Sequence, residues 1–298
     1  MNLLAARLVA PPAMNVLKDV GGLIMWPLYF AISAVLVGWY RLFTDVLGLD
    51  ESGALAWVLA IIGLTVVVRT ALIPLFVKQI RSGRDVQLLQ PRVRELQERF
   101  RDDPQRLAME TKELYREAGT NPFGSCLPLL IQMPVFLALF RLLNKAADGT
   151  GHGLLTDTLA TRFGDARLFG EVPISASFLH ADGRLGVQLV AAALVLAMTA
   201  TTFLTQRHLM TRNMPEDALT GPYARQQRTL LYVLPVVFAI GGVAFPIGVL
   251  VYWTTSNLWT MAQQLYVIHH DPTPGSPAMR AKQERDRGKD ERRGGDEG

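Results

Sequence analysis

The chain has 298 residues, half of them hydrophobic, with a positive mean hydropathy and a formal net charge of +4. Several long apolar runs exclude a soluble globular domain and indicate a polytopic membrane protein. The basic residues sit beside apolar segments and have acidic neighbours, which argues against a nucleic-acid partner. The single cysteine, Cys126, excludes an intramolecular disulfide and reads as a small buried residue.

Residues 1–25 form an N-terminal segment with Arg7, Lys18 and a Pro11-Pro12 pair. They lack the continuous apolar region and small-residue cleavage site of a secretory signal. Residues 26–46 are apolar and rich in aromatics (Trp26, Tyr29, Phe30, Trp39, Tyr40, Phe43). Pro27 suits a first helical turn. Aromatics favour the membrane interface, so this helix either lies along the surface or spans. Asp50, Glu51, Ser52 and Gly53 then break the chain.

Residues 54–77 contain 24 residues and one charge, Arg69. A helix of that length covers roughly 36 Å, enough for a hydrocarbon core of about 30 Å. An arginine near the middle of a spanning helix costs about 2.5–3.5 kcal/mol on insertion scales. It either snorkels to the nearer surface or faces a wet cavity.

Residues 78–122 read as a charged two-helix hairpin outside the membrane, with Leu89, Val93, Leu96 and Phe100 at helical spacing. Asp103-Pro104 predicts a capped second helix and Gly119 its end. A second span covers 123–142, with Pro128 and Pro134 flanking Gln132. The loop 143–184 holds four Lys/Arg in 42 residues. A third span, 185–205, is rich in small residues. A basic loop follows, carrying Arg207, Arg212, Arg225 and Arg228. Residues 229–244 form the fourth span, Phe245-Pro246 a tight turn, and 247–268 the fifth. The tail 271–298 has seven Lys/Arg and seven Asp/Glu and is expected to be disordered.

The Lys/Arg-dense segments are the hairpin, the 206–228 loop and the tail. Five alternating spans put all three on one side, which is then the cytoplasm. The expected fold is an all-α polytopic membrane helix bundle with five core transmembrane helices, a cytoplasmic hairpin at 78–122 and an extracytoplasmic loop at 143–184. An N-terminal interfacial or sixth spanning helix completes it.

In this order the segments resemble the YidC/Oxa/Alb membrane-protein insertases over roughly residues 26–270. VVVRTALIPLFVKQI is similar to that family's first core helix with its single groove arginine. QPRVRELQERF, then DDPQRLAMETKELYREAGTNPFGSCLPLLIQMPVFLALF, resembles its cytoplasmic hairpin and second core helix. FPIGVLVYWTTSNLWTMAQQ resembles its last helix. The expected member is a short form, without the large extracytoplasmic domain or the lipid-anchor cysteine that some members carry. The resemblance implies insertion of nascent integral membrane proteins into the bilayer of the bacterial plasma membrane. Insertion proceeds alone or with the Sec translocon, possible ribosome and signal-recognition-particle contacts included, and without a cofactor or nucleotide. It further implies that Arg69 lines a hydrophilic groove open to cytoplasm and lipid. Gln132, Gln206, Trp253 and Asn257 are candidates for the same groove by position. The charge-balanced tail departs from the basic, ribosome-docking tail of part of the family.

No catalytic or metal-binding constellation is visible. The five histidines, His152, His180, His208, His269 and His270, include no i, i+4 metal pair. There is no Walker phosphate loop and no Gly-x-Ser-x-Gly signature. The rival classes are a small-solute transporter or channel with Arg69 as an anion site, and a membrane-embedded enzyme.

Overall fold

The computed structural model describes residues 12–120, 127–215 and 221–296. Cys126, expected to be a small buried side chain, lies outside them. Among the described residues, eleven α-helices make an all-α bundle: α1 Pro12–Arg41, α2 Ala54–Ala71, α3 Ile73–Leu88, α4 Gln90–Arg99, α5 Pro104–Glu117, α6 Leu127–Ala147, α7 Asp157–Asp165, α8 Leu185–Asn213, α9 Gly221–Gly242, α10 Ile247–His270 and α11 Pro277–Asp296. A π-helical turn, Leu42–Val46, extends α1. Two two-residue strands, β1 Arg167–Leu168 and β2 Val172–Pro173, form an antiparallel hairpin. Its turn residues Phe169 and Gly170 both have positive φ, 54° and 76°, as a two-residue hairpin turn with the strands' own twist requires.

Pro27 does not open a helix. It lies inside α1, which starts fifteen residues earlier. The organising apolar stretch is also not one helix to Val77. It stops at Ala71, and Leu72 links it to α3. Pro74 lacks an N–H and disfavours helical geometry in the residue before it, so the break falls at the proline. Arg69 therefore occupies the last turn of α2 rather than the middle of a span. The tail also differs from expectation, since 277–296 are helical. Ala278, Met279, Arg280, Lys282, Gln283 and Glu284 are good helix formers. Ser276 Oγ accepts from Met279 N at 3.2 Å, and Ala278 is buried where α11 meets α8 and α10.

The hairpin signals read from the sequence reappear in α4 and α5. Asp103 Oδ1 accepts from Arg106 N at 3.0 Å as the cap of α5, and Gly119 has φ 63° past its end. Phe100, at the bend, lies under the guanidinium groups of Arg106 and Arg99, at 4.9 and 5.5 Å.

The helix ends sort into two groups. At one end, Arg162 pairs with Glu51 just before α2. Ile247 N donates to Ala176 O at 2.9 Å, and Leu179 N to Val243 O at 3.2 Å. The 148–184 connection thus touches the start of α2 and the α9–α10 turn. At the other end, Arg84 of α3 makes a two-pronged contact with Asp271 just after α10, at 3.1 Å to each carboxylate oxygen. Thr273 N donates to Asn213 Oδ1 at 2.9 Å where α8 ends. Consecutive helices α8, α9 and α10 therefore alternate in direction.

The main core lies under the 148–184 connection, where α1, α2, α6, α7, α8 and α10 meet. Trp57 is fully buried there, stacked on Tyr40 at 3.9 Å and edge-on to Phe163 at 5.4 Å. Gly63 lets Trp39 of α1 close on α2, since a Cβ there would lie 2.7 Å from the indole. Farther along, apolar side chains face outward instead: Leu189, Leu196, Val233, Val236 and Ile240 are exposed. Such a surface is a liability in water and matches lipid. Three segments among the described residues, 25–46, 54–71 and 185–213, are long and apolar enough to cross a membrane. The apolar stretch 227–242 of α9 is shorter. α10, taken as a span from the sequence, is not one of the three, because its Thr, Ser, Asn and Gln side chains dilute its apolarity.

Candidate functional site

α2 turns two polar side chains inward one helical turn apart. Thr65 is fully buried and returns its hydroxyl to Ile61 O at 2.7 Å. Arg69 follows, 8% exposed. Its Nε donates to Ser256 Oγ of α10 at 3.0 Å, and Nη2 reaches the same oxygen. The guanidinium also lies over the Phe76 ring, 5.3 Å from the centroid, a cation–π contact made possible by the break at Leu72. Among the described residues no carboxylate pairs with Arg69. The side chain points into the bundle rather than out along the helix to the nearer surface. A hydroxyl and an aromatic face compensate a buried cation only in part, and the site keeps net positive charge.

One turn before Ser256, Tyr252 of α10 is buried, and its Oη receives Gln132 Nε2 of α6 at 2.6 Å. Among the described residues, the Gln132 Oε1 is buried without a hydrogen-bond partner, and an unpaired buried carbonyl is costly. Tyr252 and Ser256, four residues apart, share one face of α10. Arg69, Ser256, Tyr252 and Gln132 thus form one polar seam across α2, α10 and α6.

The other candidates lie elsewhere on α10 or beyond it. Asn257 Nδ2 donates to Thr202 Oγ1 at 2.9 Å and Met198 O at 3.3 Å, which ties α10 to α8. Trp253 sits in an aromatic cluster with Phe238 (4.9 Å), Phe136 (5.1 Å) and Phe245 (5.6 Å), joining α6, α9 and α10. Gln206 is half-buried on α8, one turn beyond Thr202, and no hydrogen bond among the described residues links it to Arg69. The structure therefore brings Arg69 and Gln132 together and gives Gln206, Trp253 and Asn257 other neighbours. Ser256 and Tyr252 join the site in their place. Their i, i+4 spacing on a polar-studded apolar helix is the signal that points to them.

The family described as 60Kd inner membrane protein matches residues 49–273, which is most of the chain. The chain belongs to this family. Two YidC/Oxa/Alb relatives are named membrane protein insertase YidC. The one from Streptomyces avermitilis is 44% identical over 262 residues, covering 85% of this chain and 60% of that protein. The one from Tropheryma whipplei is 38% identical over 276 residues, covering 88% and 89%. The chain therefore spans less than two thirds of the Streptomyces protein and most of the Tropheryma one. A crystal structure of an active YidC insertase with its first transmembrane domain resolved is similar at a TM-score of 0.44 and 24% identity, over 89% of this chain and 50% of that one. The YidC family places the chain in the bacterial membrane, in keeping with its apolar helices.

Proposed function

We propose that this chain is a membrane protein insertase: it receives nascent integral membrane proteins on the cytoplasmic side and releases them into lipid. The names and identity of its YidC relatives support the activity. Arg69 supports the mechanism, because it is a cation held inside the bundle near the hairpin end of α2 and, among the described residues, without a carboxylate partner. Arg69, Ser256, Tyr252 and Gln132 form the polar wall along which a client's translocated polar segment is held while its apolar helix enters lipid. Gln206, Trp253 and Asn257 brace the helices that carry this wall. The Sec translocon and the ribosome are partners in some insertions and dispensable in others.

The same reading assigns α3–α5, the end of α8 and α11 to the cytoplasm, and 148–184 to the outside. The Arg84–Asp271 contact joins hairpin and tail at one end, where the Lys/Arg-dense segments gather. α1 is an interfacial helix on the outer face. It meets the 148–184 connection at separate points: the Tyr29 ring against His152 at 5.2 Å, and Ser33 Oγ accepting from Leu154 N at 2.9 Å. Its far end leads to Glu51, paired with Arg162 of the same connection. A helix crossing the bilayer meets an outer loop at one end only.

Two measurements test the function together. Purified chain in vesicles inserts a small hydrophobic test protein without other factors. A photo-crosslinker replacing Val68 or Ser256 captures that client during insertion. Inactive vesicles together with no crosslink in cells would return the chain to the transporter reading.

A further inference from the structure

The end of the bundle away from the 148–184 connection carries a cleft of ≈ 420 Å³ between α8, α10 and α11. Its rim bears His208 and Arg212 from the last turns of α8, His269 from the end of α10 and Arg285 from α11. Among the described residues, no acidic side chain lines it. Glu284, on the same helix as Arg285, lines the neighbouring cleft. The floor is apolar, formed by Leu265, Ile268 and Ala278. A second cleft of ≈ 150 Å³ shares His208 and Leu265 with the first and continues up the α8–α10 groove to Leu204 and Met261. Leu204 and Leu265 are exposed, so the groove opens sideways onto the apolar flank of the helices.

The charged end is held in place. Arg285 Nη2 donates to His269 O at 3.1 Å and Lys282 Nζ to His270 O at 2.7 Å. Both cations bind free carbonyls at the C-terminus of α10, where the helix dipole is negative. α11 therefore closes one wall of the cleft as a built part of the fold. Two guanidinium groups and two imidazoles around an apolar floor recognise an anion with a hydrocarbon attachment. Arginine suits phosphate through its planar fork of donors, and imidazole adds a ring N–H.

We propose that this cleft binds one anionic phospholipid, with the phosphodiester headgroup among His208, Arg212, His269 and Arg285 and the start of an acyl chain along Leu265, Met261 and Leu204. A soluble phosphate satisfies the rim and leaves the apolar groove empty. A bound lipid satisfies both. The lipid belongs to the cytoplasmic leaflet if the topology proposed above holds, but binding itself is independent of that topology and of insertion activity. The bound lipid fastens α11 to the α8–α10 pair and so orders the tail at the membrane surface.

The test is native mass spectrometry of the full-length chain in neutral detergent, titrated separately with phosphatidylglycerol, phosphatidylcholine and inorganic phosphate. One phosphatidylglycerol is retained, roughly tenfold more tightly than phosphatidylcholine. His208→Gln/Arg212→Gln removes that preference. Arg101→Gln, the loss of an exposed hairpin charge, retains it. Leu204→Trp fills the chain groove and weakens phosphatidylglycerol without changing phosphate binding, which covers the case where the double variant fails to fold. Equal retention of the two lipids, or an unaltered preference in both cleft variants, overturns the proposal. So does complete competition by inorganic phosphate, which would make the cleft a plain phosphate site.

Discussion

Arg69 was visible in the sequence because it is one charge in 24 apolar-run residues, and its partner was not. Serine is an ordinary small residue in a packed membrane helix, so Ser256 carried no signal of its own. The faces of α10 were hidden for a related reason. Successive residues turn by about 100°, so 252 and 256 share one face of α10 and 253 and 257 the adjacent one. Polar or aromatic side chains lie on all of these faces, and periodicity cannot assign them. The arrangement makes Ser256 a positioning residue. Ser256→Ala should leave the buried guanidinium short of a charge-assisted bond, at a cost of about 1.5–3 kcal/mol in stability. It should reduce insertion less than Arg69→Ala does, as read by thermal unfolding in detergent beside an insertion assay. The hypothesis for Arg69 itself is electrostatic. At an effective dielectric near 20, opposite charges about 5 Å apart attract by roughly 3 kcal/mol, enough to recruit a client's acidic segment and still release it. Positive charge is required and the fork geometry is not, so Arg69→Lys should retain much of the activity. Arg69→Ala and Arg69→Glu should lose it chiefly for clients with an acidic translocated segment. A matched client pair, with and without that acid, measures the difference in cells depleted of the native protein. Equal loss for both clients would remove the electrostatic account.

The hairpin was well specified locally and poorly specified in its attachment. The Asp103 cap, the Gly119 end and the Val93 stripe follow from neighbouring residues, which is why the sequence supplied them. The Arg84–Asp271 contact joins residues 187 apart in the chain, and no local pattern announces such a pair. The same holds for α11. Its high charge argued for disorder, but Ser276 and the burial of Ala278 against α8 and α10 give it a start and a seat. The Asp271 carboxyl is held below the usual carboxylate range, first by its hydrogen bond to Arg84; burial, next in size, opposes this, and the charges of Arg84, Lys282 and Arg81 add smaller lowering effects. A lowered carboxyl stabilises the folded state above the unfolded pKa, and that contribution disappears as pH falls through the lowered value. The hairpin–tail contact should therefore persist at neutral pH and open only in acid, below pH about 4. A spin-label distance between α4 and α11 should broaden on acidification, and Asp271→Asn should broaden it already at pH 7. A neutral-pH distance unchanged in that variant would show that the contact does not position the hairpin. α5 buries no side chain and α4 only Gln90 and Val93. Deleting 90–118 with a short linker, which leaves Arg84 in place, should thus give a monodisperse protein with weak insertion activity. Aggregation of that variant would make the hairpin structural.

The whole molecule divides into a well-packed end under the 148–184 connection and a looser end where charge collects. Trp57, Tyr40 and Phe163 lock the first. Among the described residues, the second holds a small cluster of Met210, Met214 and Leu231. An insertase needs this asymmetry. The outer end must seal the bilayer while the inner end admits a client between helices, and opening is easiest where few apolar contacts are lost. The order of the apolar helices was plain in the sequence because apolar runs separated by charged loops permit few arrangements. The break at Leu72 and the inward direction of Arg69 depend on packing against α10, which no single run contains. The division also bears on the topology proposed above. The well-packed end has few Lys/Arg, and the end with the hairpin, the α8 terminus and α11 has many, which is why the topology proposed above puts the latter in the cytoplasm. Two exposed side chains report on this directly: Phe169, 89% exposed at the tip of the β1–β2 turn, and Met109, 71% exposed on α5. With Cys126 replaced by alanine, a cysteine at 169 should react with an impermeant maleimide added to intact spheroplasts, and a cysteine at 109 should react only after permeabilisation. A cysteine at Val46, 71% exposed after α1, should label from outside like 169. A reporter fused near Met14 should also read as extracytoplasmic if α1 lies on the outer face, and as cytoplasmic if α1 spans. Labelling of 109 and protection of 169 in intact spheroplasts would invert the molecule and move the Arg69 seam to the wrong side for receiving clients.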